Sequence, residues 1–317
     1  MSIVTYAIKR ALVSVPVLLG ATAITFSLVH LAPGDPVDAL VGFEAIDPSV
    51  EASLREAHNL DRPLWEQYLL WLQDVATLEF GESAITGREV SATVADRLPA
   101  TLLLGATAWL LSLAVGIPAG ILAAVKRDSI ADEASRLAAL AGIATPNFWL
   151  GLVLLFVFGV HLGWFRVTPP DAPLASLEML WFLVLPAITL GTASAAIVTR
   201  LLRTSMRQEL RKEYVRTARA KGLSERTVLL KHVLRNALTA VVTVAGLQIA
   251  FLVDGAVVVE QVFSWPGMGQ LLVEAIGSRD FPLVQAIVLL IAVSVIVANL
   301  LVDIVYAILD PRIRYDR

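Results

Sequence analysis

Hydrophobic residues gather into six long runs, at 11–31, 101–125, 137–162, 181–198, 238–259 and 283–309. A helix needs roughly 20 such residues to cross about 30 Å of hydrocarbon, and each run approaches or exceeds that length. Four runs carry no Asp, Glu, Lys or Arg; Asp254 in the fifth and Asp303 in the sixth are the exceptions. A membrane barrel would show short segments of alternating polarity instead. The pattern predicts an all-α membrane protein with six transmembrane helices. The first run has 21 residues, against the roughly 7–15 of a secretory signal. Ala32-Pro33-Gly34-Asp35-Pro36 follows it in place of an A-x-A cleavage site, so an uncleaved first helix is expected.

Composition sharpens this picture. Of 317 residues, 57% are hydrophobic and 17% charged, against about 45–50% and 25% in soluble domains. The formal net charge of −3 is too weak to suggest nucleic acid as a partner. There is no cysteine, which excludes a disulfide scaffold, a zinc–thiolate site and a cysteine nucleophile. His30, His58, His161 and His232 fall in different segments, and no HExxH or GxSxG is present, so neither a metal site nor a nucleophile assembles.

Basic residues set the expected orientation. With the N-terminus inside, 19 of 25 Lys and Arg lie in inner segments and 6 in outer loops, while 18 of 28 acidic residues lie outside. Both termini are therefore expected in the cytoplasm. The first outer loop, 32–99, is far longer than the usual connector of about 4–6 residues. Pro63 followed by Leu64, Trp65, Tyr68, Leu72 and Val75 predicts a helix within it. That loop reads either as a self-shielding cap or as a platform that receives a partner or guards an entrance.

The inner loop 199–237 is the most informative segment. Arg200, Arg203, Arg207 and Arg211 share one helical face, as attraction to anionic lipid headgroups would favour. Beyond them, the stretch from Glu213 to Arg226 starts as helix, breaks at Gly222 and restarts at Ser224, a good N-cap. A helix–Gly–helix elbow between two spans presents a short rigid peg to something outside the membrane. Small marks elsewhere have structural readings: Pro16, Pro118, Pro146 and Pro186 bend or interrupt spans, and Gly116 with Gly120 allows close helix approach.

These residues resemble a known family, the membrane permease subunits of binding-protein-dependent ABC importers, in the dipeptide/oligopeptide/nickel branch. Such permeases carry a cytoplasmic E-A-A-x3-G-x9-I-x-L-P motif whose short helix docks into an ATPase groove. Alignment on Gly222 puts Arg216, Thr217 and Ala218 at the E-A-A positions and His232 and Leu234 at the Ile and Leu; only Ala218, Gly222 and Leu234 match. The peptide branch reads like R-T-A-R-A-K-G, as Arg216–Gly222 does here. Further resemblances include Leu60–Tyr68, Arg97–Leu102, Glu260-Gln261-Val262-Phe263-Ser264-Trp265-Pro266-Gly267-Met268-Gly269, and Leu309–Tyr315.

The resemblance implies a type I ABC importer permease fold with a large extracytoplasmic loop after helix 1, in the cytoplasmic membrane. Residues 1–31 would be the N-terminus and first helix, 32–99 the outer loop domain, and 100–317 the permease core. It implies a homologous second permease, two cytoplasmic ATPases, an extracytoplasmic solute-binding protein and the lipid bilayer as partners. The coupling loop would comprise Tyr214, Arg216, Thr217, Ala218, Arg219, Ala220, Lys221, Gly222, Leu223 and Ser224. The chain has no G-x-x-x-x-G-K-[ST] loop, so ATP and Mg would sit on the ATPases, with no cofactor, metal or catalytic residue here. Di- or oligopeptides are the implied cargo, with nickel, glutathione or another small solute as alternatives. Asp254 would either line the pathway and favour a cationic cargo group, or meet a helix–helix hydrogen bond or outer water. A proton-coupled carrier is the rival reading, although Asp254 and Asp303 are the only acidic residues inside the runs.

Overall fold

The computed structural model describes residues 3–31, 49, 53, 55–56 and 59–309, with backbone only for 3–7, 28–29, 249–254, 301 and 303–309. Among them the regular structure is helical, apart from one isolated antiparallel bridge between Glu82 and Glu89. The helices are α1 (Ile3–Leu31), α2 (Leu64–Thr77), α3 (Val90–Val125), α4 (Ile130–Ala144), α5 (Asn147–Leu154) and α6 (Leu177–Phe182). They continue with α7 (Val184–Glu209), α8 (Glu213–Ala220), α9 (Glu225–Thr227), α10 (Leu234–Phe263), α11 (Met268–Ser278) and α12 (Phe281–Leu309).

Among the described residues five helices are long and apolar enough to cross a membrane, and a sixth crossing comes from a bent pair. The run at 137–162 was expected as one helix. It is instead α4 and a second helix, α5 with its π-helical continuation Leu155–His161, meeting at 106°. Pro146 stands at that junction and leaves Thr145 extended, because a proline disfavours helical backbone in the residue before it. The pair still crosses the layer. Asp132 meets Arg203, Gly142 meets Ala196 and Gly151 meets Thr189, so the chain climbs α7 from end to beginning.

The bundle is organised around two parallel helices, α3 and α7. In α3 the buried positions Ala100, Leu104, Ala108, Ser112, Gly116, Gly120 and Ala124 recur every fourth residue, and all but Leu104 are small. The backbones therefore approach closely, which is how helices associate where lipid offers no hydrophobic drive. A Cβ on Gly116 would lie 2.8 Å from the Ala195 carbonyl oxygen, and one on Gly191 would lie 2.7 Å from that of Ala108. Gly116 and Gly120 thus belong to a longer small-residue stripe. α10 runs antiparallel to α7, with Gly255 against Leu190 and Gln248 reaching the Ser194 carbonyl. α12 returns along α10, with Val302 against Gly246, and α1 packs on α12.

Large apolar side chains cover the outside, including Leu102, Leu110, Val115, Leu122, Trp149, Leu152 and Phe156. Exposed apolar surface on this scale marks contact with lipid or protein rather than water. α2 forms where expected, directly after Pro63. It is held to α1 through Tyr68, whose hydroxyl lies 2.8 Å from that of Thr22.

Candidate functional site

α7 leaves the bundle at Glu209, and the chain returns as α9 and α10; between them lies the elbow. α8 buries Val215 and Ala218 in a cluster with Met206, Val228 and Val233. Its opposite face, with Arg216, Thr217, Arg219 and Ala220, is exposed. Tyr214 is half-buried and ties three elements together. Its hydroxyl donates to Glu209 Oε2 at 2.7 Å, and Asn236 Nδ2 donates to that hydroxyl at 3.1 Å. Burial pushes the Tyr214 phenol above its ordinary value, and the bond to Glu209 acts in the same direction.

The turn is built by backbone geometry. Gly222 adopts φ +76°, its N–H donates to the Arg219 carbonyl, and the Leu223 N–H donates to that of Ala218. These two bonds form a Schellman closure, in which glycine enters the left-handed region at no steric cost. No neighbouring atom lies within 4 Å of where a Cβ would stand, so glycine is required by conformation rather than by space. Ser224 then caps the next helix, accepting from the Thr227 N–H at 3.4 Å. Arg219 spans the elbow with two bonds to Glu225, at 3.0 and 2.6 Å. Both partners are about half exposed, so the pair contributes little energy and mainly sets the angle. The tip presents Lys221, Leu223 and Arg226, all exposed.

From Ser224 the helix runs on through a π-helical stretch, Val228–Val233, into α10. Within the inner segment 199–237, Arg200, Arg203 and Arg207 lie on the last turns of α7, on the helical face their spacing predicts. Arg203 departs from the headgroup reading. It makes two bonds to Asp132, at 2.6 and 2.9 Å, and the side chains are only 16% and 3% exposed. That pair clamps the first turn of α4 to α7.

At the opposite end a second network joins α3, α10 and α11. Glu260 is fully buried and accepts from Thr101 Oγ1 at 2.7 Å and from the N–H groups of Gly269 at 2.7 Å and Gln270 at 3.1 Å. It thereby caps the N-terminus of α11, where unpaired N–H groups and the helix dipole favour an acceptor. Thr101 in turn accepts from the Met268 N–H, and the Trp265 indole donates to the Ala100 carbonyl. A Cβ on Gly267 would fall 2.2 Å from Glu260 Oε1. The segment from Glu260 to Gly269 is thus an interlocked corner. Asp254 lies on α10, outside the described side chains. Among the described residues no three His, Asp or Glu converge as a metal site would require.

Residues 116–315 match the family described as binding-protein-dependent transport system inner membrane component, and residues 3–105 match its N-terminal companion. The chain belongs to this family of importer permeases. It is 42% identical to the oligopeptide transport system permease protein AppB of Bacillus subtilis, with 98% of this chain and 99% of that protein covered. It is 39% identical to the dipeptide permease DppB and 42% identical to the glutathione permease GsiC, both of Escherichia coli K12, at 98% and 99% coverage. A chain of the MetNI methionine ABC transporter, in an inward-facing conformation, superposes with TM-score 0.56 at 18% identity over 69% of this chain and 96% of that one. The fold is accordingly that of the type I ABC importer permeases. Membership in the family favours an ATP-driven importer over the proton-coupled carrier.

Proposed function

We propose that this chain is one of two membrane halves of an ATP-driven importer of di- and oligopeptides, and that the elbow from Tyr214 to Ser224 is where a separate ATPase pushes on it. The names of the relatives, which cover oligopeptide, dipeptide and glutathione transport, support the cargo class. The observation that carries the coupling role is the shape of the elbow. One face is fixed through Val215, Ala218 and Tyr214, and the other stands free with Arg216, Lys221, Leu223 and Arg226.

ATP and Mg are assigned to the ATPase chains, and hydrolysis there does the chemical work; this chain binds, positions and moves. The elbow end then faces the cytoplasm, with both chain termini at that end, as the basic bias of the inner segments favours. A homologous permease, two ATPases and an extracytoplasmic binding protein complete the assembly. Nucleotide closure of the ATPases shifts the bundle only if they hold the elbow differently in its two states.

The test is a pair of substitutions at Gly222. Gly222→Val forces a β-branched residue into φ +76°, at a cost of about 1–2 kcal/mol or more, whereas Asn enters that region more readily. In the purified complex Gly222→Val lowers peptide-stimulated ATP hydrolysis severalfold, and Gly222→Asn retains most of it. Wild-type stimulation and uptake by Gly222→Val would remove the elbow from the coupling role.

A further inference from the structure

At the far end from the elbow, a cavity of about 290 Å³ opens between the end of α1, α2 and the start of α12. Its wall has three chemically distinct parts. Asp74, Glu79 and Glu82 contribute carboxylates, and among the described residues no Lys or Arg lines the cavity. All three are exposed, and none has a hydrogen bond or ion pair through its side chain among the described residues. Phe26, Trp71, Phe80 and Phe281 contribute aromatic rings. Phe26 and Trp71 stand 5.8 Å apart and form one aromatic side.

The third part is Gln285. It lines the cavity, is only 9% exposed, and has no hydrogen-bond partner among the described residues. Its amide atoms keep access to the cavity, so whatever enters the cavity is their available partner. His30 and Gln67 are already committed: the ring of His30 lies against the Phe26 carbonyl and Gln67 Oε1, and Gln67 Nε2 donates to the Arg62 carbonyl. The rim is fixed from below by Asp280, which accepts from Ser83 Oγ and from the N–H groups of Ala84 and Leu283.

Carboxylates without cations, aromatic faces and a free amide suit one kind of ligand. A positive charge is drawn by the acids and favoured over aromatic rings, and an amide pairs with an amide. We propose that this cavity binds the ammonium end of a short peptide, with Asp74, Glu79 and Glu82 facing the charge, the rings receiving its side chain and Gln285 meeting its first peptide group. The site lies apart from the elbow and the Glu260 corner, and it gives the permease a capture point of its own for cargo. It rests on the reading of the cargo as peptide. An ethanolamine lipid headgroup offers the same ammonium and is the other source to be distinguished.

The experiment uses the purified complex in nanodiscs of phosphatidylcholine and phosphatidylglycerol, without binding protein or nucleotide. Calorimetry compares alanyl-phenylalanine with its N-acetyl derivative. The free dipeptide binds and the acetylated one binds at least tenfold more weakly. Gln285→Leu weakens the dipeptide at least tenfold, and so does the double variant Glu79→Gln with Glu82→Gln, whose positions are exposed and spare the fold. Loss of dipeptide binding when phosphatidylethanolamine is added, with the variants no longer sensitive to that lipid, identifies the headgroup as the competing ammonium in the same site. Equal affinity for both dipeptides, unchanged binding by the variants, or no binding at millimolar peptide overturns the proposal. ATP-driven dipeptide uptake that persists without such binding sinks the cavity and leaves the importer reading; binding without uptake does the reverse.

Discussion

Replacing Glu260 by Ala removes three hydrogen bonds at one buried point, from Thr101 and from the N–H groups of Gly269 and Gln270. Two of those donors are main-chain groups at the start of α11, and an unsatisfied buried donor costs about 1–3 kcal/mol. Together they give about 2–6 kcal/mol, with the emptied side-chain volume adding to it. A neighbouring cavity of about 30 Å³, lined by Glu260, Thr101, Met268 and Gly269, is close to the volume of one water, and its entry would favour the lower half of that range. Glu260→Gln keeps an acceptor for the α11 groups and loses the bond from Thr101, for a cost of about 1 kcal/mol. The damage is local, so the readout is hydrogen exchange of residues 268–278 in the detergent-purified protein. Exchange there accelerates strongly in Glu260→Ala and slightly in Glu260→Gln. Gly267→Ala, whose Cβ would collide with the carboxylate, is milder in the Glu260→Ala background than alone. Protection of 268–278 equal to wild type in Glu260→Ala would refute the account of this corner.

Two further outcomes follow from the packing. Asp132→Ala leaves the half-buried Arg203 guanidinium without its partner and destabilises the protein by about 1–3 kcal/mol, while a double change of both residues to Leu recovers most of the loss; unfolding midpoints in detergent compare the two, and additive losses would contradict a shared pair. Gly191→Ala, meeting the Ala108 carbonyl at 2.7 Å, costs about 1–3 kcal/mol. Gly105→Ala, with open space around it, is neutral or stabilising by up to about 1 kcal/mol. The chain has no cysteine, so both melts are followed through its tryptophans rather than thiol dyes.

The spans were legible because lipid imposes a simple demand: about 20 apolar residues, with charges kept to the ends. The elbow was legible too, since Gly222 and Ser224 act on their immediate neighbours and local signals survive in a linear string. The break at Pro146 was visible only as a proline, because proline in a membrane helix produces anything from a slight bend to the 106° turn found here, and neighbouring helices decide which. The clasps were hidden for another reason. Asp132 and Arg203 are 71 positions apart, and Glu260 and Thr101 are 159 apart. Nothing local distinguishes a half-buried, paired Arg203 from Arg200 or Arg211, which are exposed on the same run of basic residues. The segment from Glu260 to Gly269 could have given a hint, since an acidic residue ahead of two glycines and a helix start is a candidate remote cap.

The unbroken helix that begins after Ser224 and ends at Phe263 has a mechanical consequence. Beyond the π-helical stretch it contains no proline, so residues 234–263 act as a single stiff rod of about 45 Å, and tilting one end by about 5° swings the other by about 4 Å. The buried carboxylate of Glu260 rides on the swinging tip, gripping α3 and α11 as it goes. A nudge delivered on one face of the membrane would thus arrive on the other as a lateral stroke of atomic size, with no relay of intermediate parts.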